Sequence, residues 1–466
     1  MADDLGWQDV GFMGSQWFET PNLDALAQES LVFSDAYMYP TCSPSRAALL
    51  TGKQSFRTGV YNVPVLEKGD SEHNIFSRWT VELEHTMYAE PLKKAGYQSI
   101  HIGKWHVVGP SPNEETNYPF EKPLKQPANG TFDWLPEHQL PSVQQYYPQG
   151  KGFDENVGGT WWGDPARGYE KGYQSSSGGY KAPFKNPFIE EKKDDEWLTD
   201  RLTDEAIDFI AKNKNKPFFV NLHFYAPHRP TIPRNGELYQ KFLNKKPDSI
   251  TGQGQKRLEE IAGYATMIQS IDENVKRIFG FLDKQGLREN TIVIFTSDNG
   301  FNGLQSNTNT LRGAKGTVYE GGIRVPAFIN WKGKIEAGIS ETPICGMDYF
   351  PTFLDLAQIK NYEGVLDGTS LVPLLKKQPL KERSLFWHIA STYKNPPCSI
   401  IRKGKWKLIQ FLNDGKIELY NLEEDLKESY DLSKEQKEVA NVLLKELTAW
   451  RKHNKVPLPQ ASVLSF

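Results

Sequence analysis

TIVIFTSDNG, residues 291–300, joins a β-branched apolar run to a polar turn, and this combination decides the fold. Apolar runs of this kind, bounded by turn residues, are typical of buried strands. Three further runs share this character: YQSIHI at 97–102, FFVNLHF at 218–224 and VPAFINW at 325–331. Stretches with helical period lie between them: LTDRLTDEAIDFIAKN at 198–213 and YATMIQSIDENVKRIFGFLDKQG at 264–286. The alternation predicts an α/β fold with a mostly parallel sheet.

Length and charge limit the classes of protein that this chain can represent. Its 466 residues suffice for one large core and a smaller domain, or for two to three domains. Its net charge is −3 and no basic stripe occurs, which argues against a nucleic-acid-binding protein. No apolar run of 18 or more residues predicts a membrane span, and no leader typical of a signal peptide follows Met1. Cys42, Cys345 and Cys398 are too few for a disulfide framework.

The character of the chain changes near residue 375. Residues 1–375 carry the alternating patterns, and we interpret them as one large domain. Residues 376–466 hold a charged amphipathic helix and three strand-like runs, LFWHIA, SIIRKGKWKLIQF and KIELYNL. They predict a separate subdomain, a small antiparallel sheet with one packed helix. Residues 110–185 are rich in Pro, Gly, Trp and Tyr, and we expect them to form an insertion that lines a substrate cleft.

Unusual polar residues follow three of the predicted strands, where each strand ends. Lys104 and His106 follow YQSIHI, His228 follows FFVNLHFY, and Asp298 and Asn299 follow TIVIFT. In open α/β sheets, ligands bind at the edge formed by the carboxyl ends of the strands. We therefore expect one shared site. Each turn taken alone is equally a plain loop, and His228 alone is more typical of a structural histidine.

Two pairs of oxygen-bearing residues are candidate metal ligands: Asp3 with Asp4, and Asp298 with Asn299. These are hard ligands without a Cys/His pair nearby, so Ca²⁺ or Mg²⁺ suits them better than Zn²⁺. The alternative for Asp3 and Asp4 is a solvated acidic end, and for SDNG it is an ordinary turn. Each signal is weak alone.

The stretch PTCSPSRAALLTGK, residues 40–53, contains Cys42 ahead of a helical run. Pro44 suits a first helical turn, and Gly52 can end the helix. Cys42 would then lie at a helix N-terminus, with Arg46 one turn further on, and both features favour a reactive thiol in an anion site. The alternative is a small buried cysteine in a loop.

Taken together, these motifs resemble the type I sulfatases of the alkaline phosphatase superfamily, in particular bacterial carbohydrate sulfatases. CSPSRAALLTG is similar to the family's first signature and GYQSIHIGKWH to its second. Further blocks match in the expected order: ADDLGW, GFDENVGG, YAPHRP, TSDNG, LRGAKGTVYEGGIRVP and DYFPTFLDLA. The resemblance runs to about residue 375, and IRKGKWKLIQ and LYNLEED resemble the family's C-terminal subdomain. It implies a large mixed, mostly parallel sheet sandwiched by helices.

The resemblance implies hydrolysis of sulfate esters, with a sulfated carbohydrate as substrate. In the family, a formylglycine-generating or anaerobic sulfatase-maturing enzyme oxidises the cysteine that corresponds to Cys42 to formylglycine, an aldehyde. One hydroxyl of its hydrate attacks sulfur and displaces the alcohol, which leaves a sulfated enzyme. The second hydroxyl then allows the sulfate to be expelled, which a serine could not do.

The resemblance also assigns roles to single positions. Asp3, Asp4, Asp298, Asn299 and the modified Cys42 match the ligands of a Ca²⁺ ion, with Mg²⁺ as the alternative. Arg46 would hold the formylglycine hydroxyl, Lys104 and Lys315 would contact the sulfate, His106 would bond the diol, and His228 would be the general acid.

Four further positions are assigned less directly. We interpret Arg324 as support for the segment that carries Lys315. Arg229, Trp105 and His388 are candidate substrate contacts, with packing as the alternative for Trp105.

The family normally begins with an apolar strand that leads to the Asp-Asp pair, whereas Asp3 follows Met1 and Ala2 here. We therefore expect a missing central strand, a fraying terminus at Asp3 and Asp4, weak Ca²⁺ binding and low stability. A periplasmic or secreted location is implied by the resemblance alone. Two alternatives remain: a phosphonate or phosphate ester hydrolase of the same superfamily, and a glycan-binding pseudoenzyme with an unmodified Cys42.

Overall fold

The structure is a computed structural model that describes residues 1–112, 115, 118–124, 140–165, 179–245, 254–303 and 311–464. The strands are β1 (Leu31–Tyr37), β2 (Gln98–Gly103), β3 (Glu155–Val157), β4 (Phe218–His223), β5 (Val293–Thr296), β6 (Arg324–Asn330), β7 (Gly338–Ser340), β8 (Ile344–Cys345), β9 (Leu385–Ile389), β10 (Cys398–Lys403), β11 (Trp406–Phe411) and β12 (Ile417–Asn421). The α-helices are α1 (Pro21–Gln28), α2 (Cys42–Thr51), α3 (Ser55–Thr58), α4 (Ala89–Lys94), α5 (Pro141–Gln144), α6 (Leu198–Asn213), α7 (Gly236–Asn244), α8 (Gln255–Lys284), α9 (Glu320–Ile323), α10 (Tyr349–Leu356), α11 (Val372–Leu375) and α12 (Lys437–Asn454).

The part of the chain up to about residue 375, called the large part below, contains strands β1 to β8 in a mixed arrangement, in which parallel pairs predominate. One sheet has the order β5-β6-β1-β7, and β8 also pairs with β1. Strands β7 and β8 run parallel to β1, whereas β6 is antiparallel to both β1 and β5. A second sheet, β3-β2-β4, is entirely parallel. The α/β prediction is confirmed, and all four strand-like runs quoted from this part of the chain form strands.

The first residues of the chain lie between these two sheets. Ala2 donates its N–H to the carbonyl oxygen of Thr296 (2.8 Å), and Asp3 donates to that of Ala226 (3.0 Å). The side chains of Asp3 and Asp4 are 0% and 2% exposed. The expectation of a fraying acidic terminus is wrong, because Met1 also donates to the carbonyl oxygen of Leu222 in β4 (2.8 Å), so bonds to β4, to β5 and to the loop after β4 fix these backbone groups.

Helices cover both faces of the large part. On α6, the apolar residues Leu198, Leu202, Ala206 and Phe209 recur at helical spacing and are buried together with residues of α8. On the opposite face, α2 packs against α10. Every residue of α2 is buried. Among the described residues, none of the helices is long and apolar enough to pass through a membrane.

The small part is an antiparallel sheet, β12-β11-β10-β9, with α12 packed on β10 and β11. This confirms the predicted type of subdomain. The prediction of three strands is wrong, because SIIRKGKWKLIQF forms both β10 and β11. Gly404, with a φ of 53°, makes the turn that separates them. The division near residue 375 remains a prediction.

The predicted insertion at 110–185 lies partly outside the described residues, which exclude 113–114, 116–117, 125–139 and 166–178. Its described part includes β3, which extends the parallel sheet beside β2. This stretch is therefore not an insertion throughout, because residues 155–157 belong to the sheet.

Candidate active site

The polar residues predicted to meet at the strand ends lie together, around Asp3 and Asp4. Oxygen or sulfur atoms of Asp3, Cys42 and Asp298 lie within 4.8 Å of one another, and so do ligand atoms of Asp3, Asp4 and His228. Asp3, Asp298 and Asn299 are completely buried. The shared site is built from the loops after β2, β4 and β5, the start of the chain and the first turn of α2.

Arg46, one helical turn beyond Cys42, is directed at Asp298. Its Nε and Nη2 donate to Asp298 Oδ2 at 3.1 and 2.9 Å, and its Nη1 donates to the carbonyl oxygen of Lys104 at 2.8 Å. Burial alone would raise the pKa of Asp298, but Arg46 and then Lys104 lower it overall. Asp298 is therefore held as a carboxylate.

Each of the two lysines from the sequence motifs pairs with one N-terminal aspartate. Lys104 Nζ donates to Asp3 Oδ2 at 2.7 Å, and both side chains are fully buried. Lys315 Nζ lies 2.6 Å from Asp4 Oδ1 and its side chain is 13% exposed. Burial and the neighbouring Asp298 raise the pKa of Asp3. For Asp4, Lys315 and His228 outweigh burial and lower the pKa.

Cys42 is the first residue of α2, as the proline and glycine pattern predicts, and Gly52 (φ 65°) caps the other end of the helix. The thiol is 2% exposed, and burial raises its pKa in spite of Lys104 and Lys315. The buried thiol is therefore less acidic than its place at a helix N-terminus predicts. Arg46 is paired with Asp298 and the helix N-terminus is buried, so the thiolate gains too little to offset its desolvation.

His228 lies at the more open side of the site, where its side chain is 19% exposed. Its Nδ1 is 2.8 Å from the carbonyl oxygen of Arg229, and its Nε2 is 3.8 Å from Asp4 Oδ2. Burial and the cation of Lys315 lower the pKa of His228 to about 4, although Asp4 acts in the opposite direction. Arg229 itself is exposed.

His106 is held by its backbone in a left-handed conformation, with a φ of 58°. Its N–H donates to the carbonyl oxygen of Thr160 (3.3 Å). Its ring packs on Gly163, where an added Cβ would lie 2.7 Å from the imidazole. The absence of a side chain at Gly163 therefore leaves the space that the ring of His106 fills.

The structure does not bring Trp105 and His388 to the site, and the hypothesis of substrate contact is wrong for both. Trp105 is fully buried, and its indole donates to the carbonyl oxygen of Tyr146 (3.1 Å). His388 is fully buried in β9, with its Nδ1 2.9 Å from Ser399 Oγ. Neither ring can reach a substrate without opening the core.

Arg324 supports the structure around the site. It donates to the carbonyl oxygen of Ser34 and pairs with Asp35 (3.1 Å) and Glu320 (3.1 Å). These contacts fix the start of β6, directly after the segment that carries Lys315, and they fit the supporting role predicted for it.

Sequence reasoning missed several residues that touch this site. His223, at the end of β4, places Nδ1 3.2 Å from Arg46 Nη1. Tyr264 of α8 donates to the carbonyl oxygen of Asp4 (2.8 Å). His223 could have been found as a polar residue at a strand end, whereas nothing in the periodicity of α8 separates Tyr264 from a core aromatic.

The donor set fits a hard divalent cation. Within the described residues, Asp3 Oδ1 and Asn299 Oδ1 are buried oxygens without a hydrogen-bond partner. Ligand atoms of Asp3 lie within 4.8 Å of those of Asp4 and Asp298, and Asn299 lies beside them, since its amide donates to Asp4 Oδ1 at 2.9 Å. Carboxylate and amide oxygens are the ligands that Ca²⁺ and Mg²⁺ prefer. A buried oxygen without a partner is costly, and a bound cation would remove that cost.

Comparison with known proteins agrees with this geometry. A family model described as Sulfatase matches residues 1–359, and one described as N-sulphoglucosamine sulphohydrolase, C-terminal, matches residues 314–453. A sulfatase of Formosa agariphila is 30% identical, over 98% of this chain and 88% of its own length. The N-acetylgalactosamine-6-sulfatase of Mus musculus is 32% identical, over 84% of this chain and 68% of its own.

A solved structure extends the likeness to the fold. The crystal structure of Ps i-CgsB in complex with k-i-k-neocarrahexaose has a TM-score of 0.73 and 28% identity, and the match covers 98% of this chain and 92% of that chain. The matched family model, the relatives and the shared fold lead to one conclusion: the chain belongs to the sulfatase family and is a sulfuric ester hydrolase.

Proposed function

We propose that this protein removes sulfate esters from a sulfated oligo- or polysaccharide, with a formylglycine made from Cys42 as the nucleophile. The observation that carries the proposal is the buried cluster of Cys42, Asp3 and Asp298, whose ligand atoms lie within 4.8 Å of one another. Support for a carbohydrate comes from the relatives, a sugar sulfatase and a protein solved with an oligosaccharide.

The charges of the buried site favour a sulfate monoester. Three carboxylates (Asp3, Asp4 and Asp298) face three cations (Arg46, Lys104 and Lys315). A divalent cation at the oxygen cluster would leave an excess of positive charge, which a sulfate ester with its single negative charge partly neutralises. In a dry site such fixed charges act strongly on an anionic group.

The two lysines are proposed to bind the sulfate group. Each is held by a short contact to one of the N-terminal carboxylates, Lys104 to Asp3 at 2.7 Å and Lys315 to Asp4 at 2.6 Å. As the S–O bond to the sugar breaks, negative charge grows on the bridging oxygen, and an ammonium group beside the sulfate would stabilise that charge in the transition state.

His228 is proposed as the donor of the proton that the leaving sugar oxygen takes up. Its pKa of about 4 reflects burial and the neighbouring Lys315, and a sulfate anion next to Lys315 would offset that effect and favour the imidazolium. His106, held between Thr160 and Gly163, is proposed to bond the hydrated aldehyde. A sugar alcohol is a poor leaving group, so proton donation matters.

The proposal also needs two groups that the amino-acid sequence does not encode, a divalent cation and the formylglycine made from Cys42. Asp3, Asp4, Asp298 and Asn299 would hold Ca²⁺, or Mg²⁺, which polarises a sulfate oxygen when bound. The hydrate of the aldehyde made from Cys42 would supply one hydroxyl to attack sulfur, with the sugar oxygen as the leaving group, and a second hydroxyl whose deprotonation would expel the sulfate and restore the aldehyde. The raised pKa of the Cys42 thiol supports a precursor role, because a buried neutral thiol is a poor nucleophile.

Two further proposals concern the cell. The partner in maturation would be a formylglycine-generating or anaerobic sulfatase-maturing enzyme. The location would be the periplasm or the outside of the cell.

Mass spectrometry of the peptide that carries Cys42, after expression with a maturing enzyme, tests the nucleophile. We expect the aldehyde and its hydrate, together with release of sulfate from sulfated sugars. An unmodified thiol in a preparation that still releases sulfate would overturn the formylglycine mechanism. An unmodified protein that binds sulfated glycans without turnover would identify a pseudoenzyme.

Rates on aryl sulfate and aryl phosphate esters test the class of ester. We expect the sulfate to react faster, because the donor atoms suit one cation and a monoanion. Faster turnover of the phosphate or of a phosphonate ester would identify the alternative hydrolase.

A further inference from the structure

The loop between β9 and β10 reaches from the small subdomain to the sulfate-binding lysine. Lys394 Nζ donates to the carbonyl oxygen of Lys315 at 2.7 Å. The ring of Tyr393 covers Gly316, where an added Cβ would lie 2.5 Å from the ring. These two side chains therefore flank the segment whose ammonium group lies 2.6 Å from Asp4.

The backbone of this loop is anchored on the large part of the molecule. Asn395 Oδ1 accepts the N–H of Val318 at 3.0 Å. On the other side, Thr392 donates its N–H to Asn74 Oδ1 at 2.7 Å. Because both ends of the short Tyr393–Lys394 segment are bonded, its side chains have a defined place beside the site.

The surface around Lys394 and Arg229, beside the segment of Lys315, carries a positive charge. Lys394 is exposed, and no described carboxylate forms an ion pair with it or with the exposed Arg229 beside His228. Burial, Lys315 and Arg229 lower the pKa of Lys394, although Asp4 opposes this. Burial and the charge of Arg229 lower the pKa of Arg257, which lies 3.8 Å from its ion-pair partner Glu260. Two carboxylates, Asp4 and Asp164, act in the opposite direction on His228.

We propose that Tyr393 and Lys394 form a specificity subsite that takes a second anionic group of the substrate, a sulfate or a carboxylate next to the scissile sulfate. The inference rests on the proposed function and narrows its substrate class to sugars with two anionic groups. The half-buried ring of Tyr393 offers an apolar face to the sugar, and Lys394 offers the ammonium to the anion.

The size of the effect follows from the exposure of Lys394. A charge-assisted hydrogen bond at a partly exposed position is worth somewhat more than a surface ion pair, so the second anion should improve binding about tenfold. The gain should appear in KM and not in kcat, because Lys394 does not touch the reacting sulfate.

The experiment compares three substrates: N-acetylgalactosamine 6-sulfate, its 4,6-disulfate, and the 6-sulfate linked to glucuronate. Calorimetric binding is measured beside turnover, and a small aryl sulfate serves as a reference. Wild type should prefer the dianionic sugars about tenfold. Lys394→Met should lose this preference and keep its activity on the monosulfated sugar and the aryl sulfate, whereas Lys394→Arg should keep the preference.

Lys445→Met, which removes an exposed lysine from α12, is the matched control and should behave as wild type. An equal preference in Lys394→Met and wild type, in binding and in turnover, would overturn the subsite. Loss of aryl sulfate turnover in Lys394→Met would also overturn it, because Lys394 would then only position Lys315. If the proposed function is wrong, no sulfate ester will be turned over by wild type or by the variants. The difference in calorimetric binding between wild type and Lys394→Met would still test the subsite.

Discussion

Arg46 shows how far a single residue can be assigned from sequence. Its spacing places it one turn beyond Cys42 in α2, which is correct. The direction of its side chain depends on Asp298, 252 positions further along the chain. A buried carboxylate needs a partner, and the guanidinium supplies two donors to one oxygen and a third to the carbonyl oxygen of Lys104. The spacing of the sequence predicts where Arg46 lies in α2, whereas the burial of Asp298 determines which residue the guanidinium pairs with.

Replacement of Arg46 by leucine should lower the free energy of unfolding by about 3–5 kcal/mol, because Asp298 would be left buried without its partner. Urea unfolding measures this change. Arg277→Leu removes an exposed arginine that pairs with Asp204, and it should cost under about 1 kcal/mol. Equal effects of the two substitutions would mean that the Arg46–Asp298 pair is no more important than a surface pair.

The number of cysteines that a thiol reagent labels tests both their burial and the modification of Cys42. Cys42, Cys345 and Cys398 are all buried and free. Burial raises the pKa of Cys345 and is the largest cause for Cys42 and Cys398 as well. Iodoacetamide should therefore label none of them in the native protein at pH 8.

In guanidinium chloride, the same reagent should label two cysteines in mature protein and all three in protein expressed without a maturing enzyme. Labelling of three thiols in mature protein would contradict conversion of Cys42. Rapid labelling in the native state would contradict the burial of the thiols.

At the scale of elements, the residue that directly follows the short helical stretch at 64–66 is a buried acid, Glu67. Glu67 is 6% exposed and accepts the N–H of Ser77 with both oxygens, at 3.1 and 3.0 Å. Burial raises the pKa of Glu67 from 4.5 to about 8, although hydrogen bonds oppose the shift. Between these two values the folded protein binds more protons than the unfolded chain.

This acid should make stability fall as the pH rises from about 4.5 to about 8, and the loss should level off above pH 8. Glu67→Gln removes the titration, so its stability relative to wild type should improve by up to about 1.4 kcal/mol per pH unit across this range. Urea unfolding at pH 5 and pH 8 measures the difference. Glu84→Gln, at a side chain that is 80% exposed, is the control. A constant difference between Glu67→Gln and wild type would contradict the raised pKa.

Elements with a clear period could be predicted, and those defined by distant contacts could not. Strands form in the runs at 97–102, 218–224, 291–296 and 325–331, as short apolar runs bounded by turn residues predict. Residues 155–157 carry no such pattern, since β3 is a short edge strand that gains its hydrogen bonds from β2. The pattern at 399–411 predicts one continuous strand, because Gly404 is the only residue in it that favours a turn.

On the scale of the whole molecule, a buried network of charges joins the two parts of the chain. Glu320, before β6, accepts from Lys407 of β11 (2.9 Å), and Lys407 also pairs with Glu428 (2.8 Å). Arg402 of β10 pairs with Asp35 of β1 (2.6 Å). Sequence separates these partners by up to 367 positions, so no local pattern could predict them. Because the network adjoins the segment of Lys315, the small subdomain helps to position the site.

The oxygen cluster that is proposed to hold a cation is likewise assembled from distant segments, since Asp4 donates its N–H to Asp298 Oδ1 and Asn299 donates its side-chain amide to Asp4 Oδ1. A cation bound there would hold the start of the chain against the end of β5. Ca²⁺ at one hundred times its dissociation constant should therefore add about 2.7 kcal/mol to the free energy of unfolding. The expectation of weak binding, which depended on a fraying terminus, has lost its physical basis, because Asp3 and Asp4 are buried and bonded.

Thermal unfolding in EDTA and in a series of Ca²⁺ concentrations measures this stabilisation. Asn299→Ala removes one buried oxygen that lacks a hydrogen-bond partner, and it should weaken the response to Ca²⁺. Asn330→Ala is the matched control, because Asn330 is equally buried but bonds to the carbonyl oxygen of Glu29 outside the cluster. It should lower the melting temperature and keep the full Ca²⁺ response. An equal response in both variants would mean that Ca²⁺ binds elsewhere, since only one of the two substitutions removes an oxygen from the cluster.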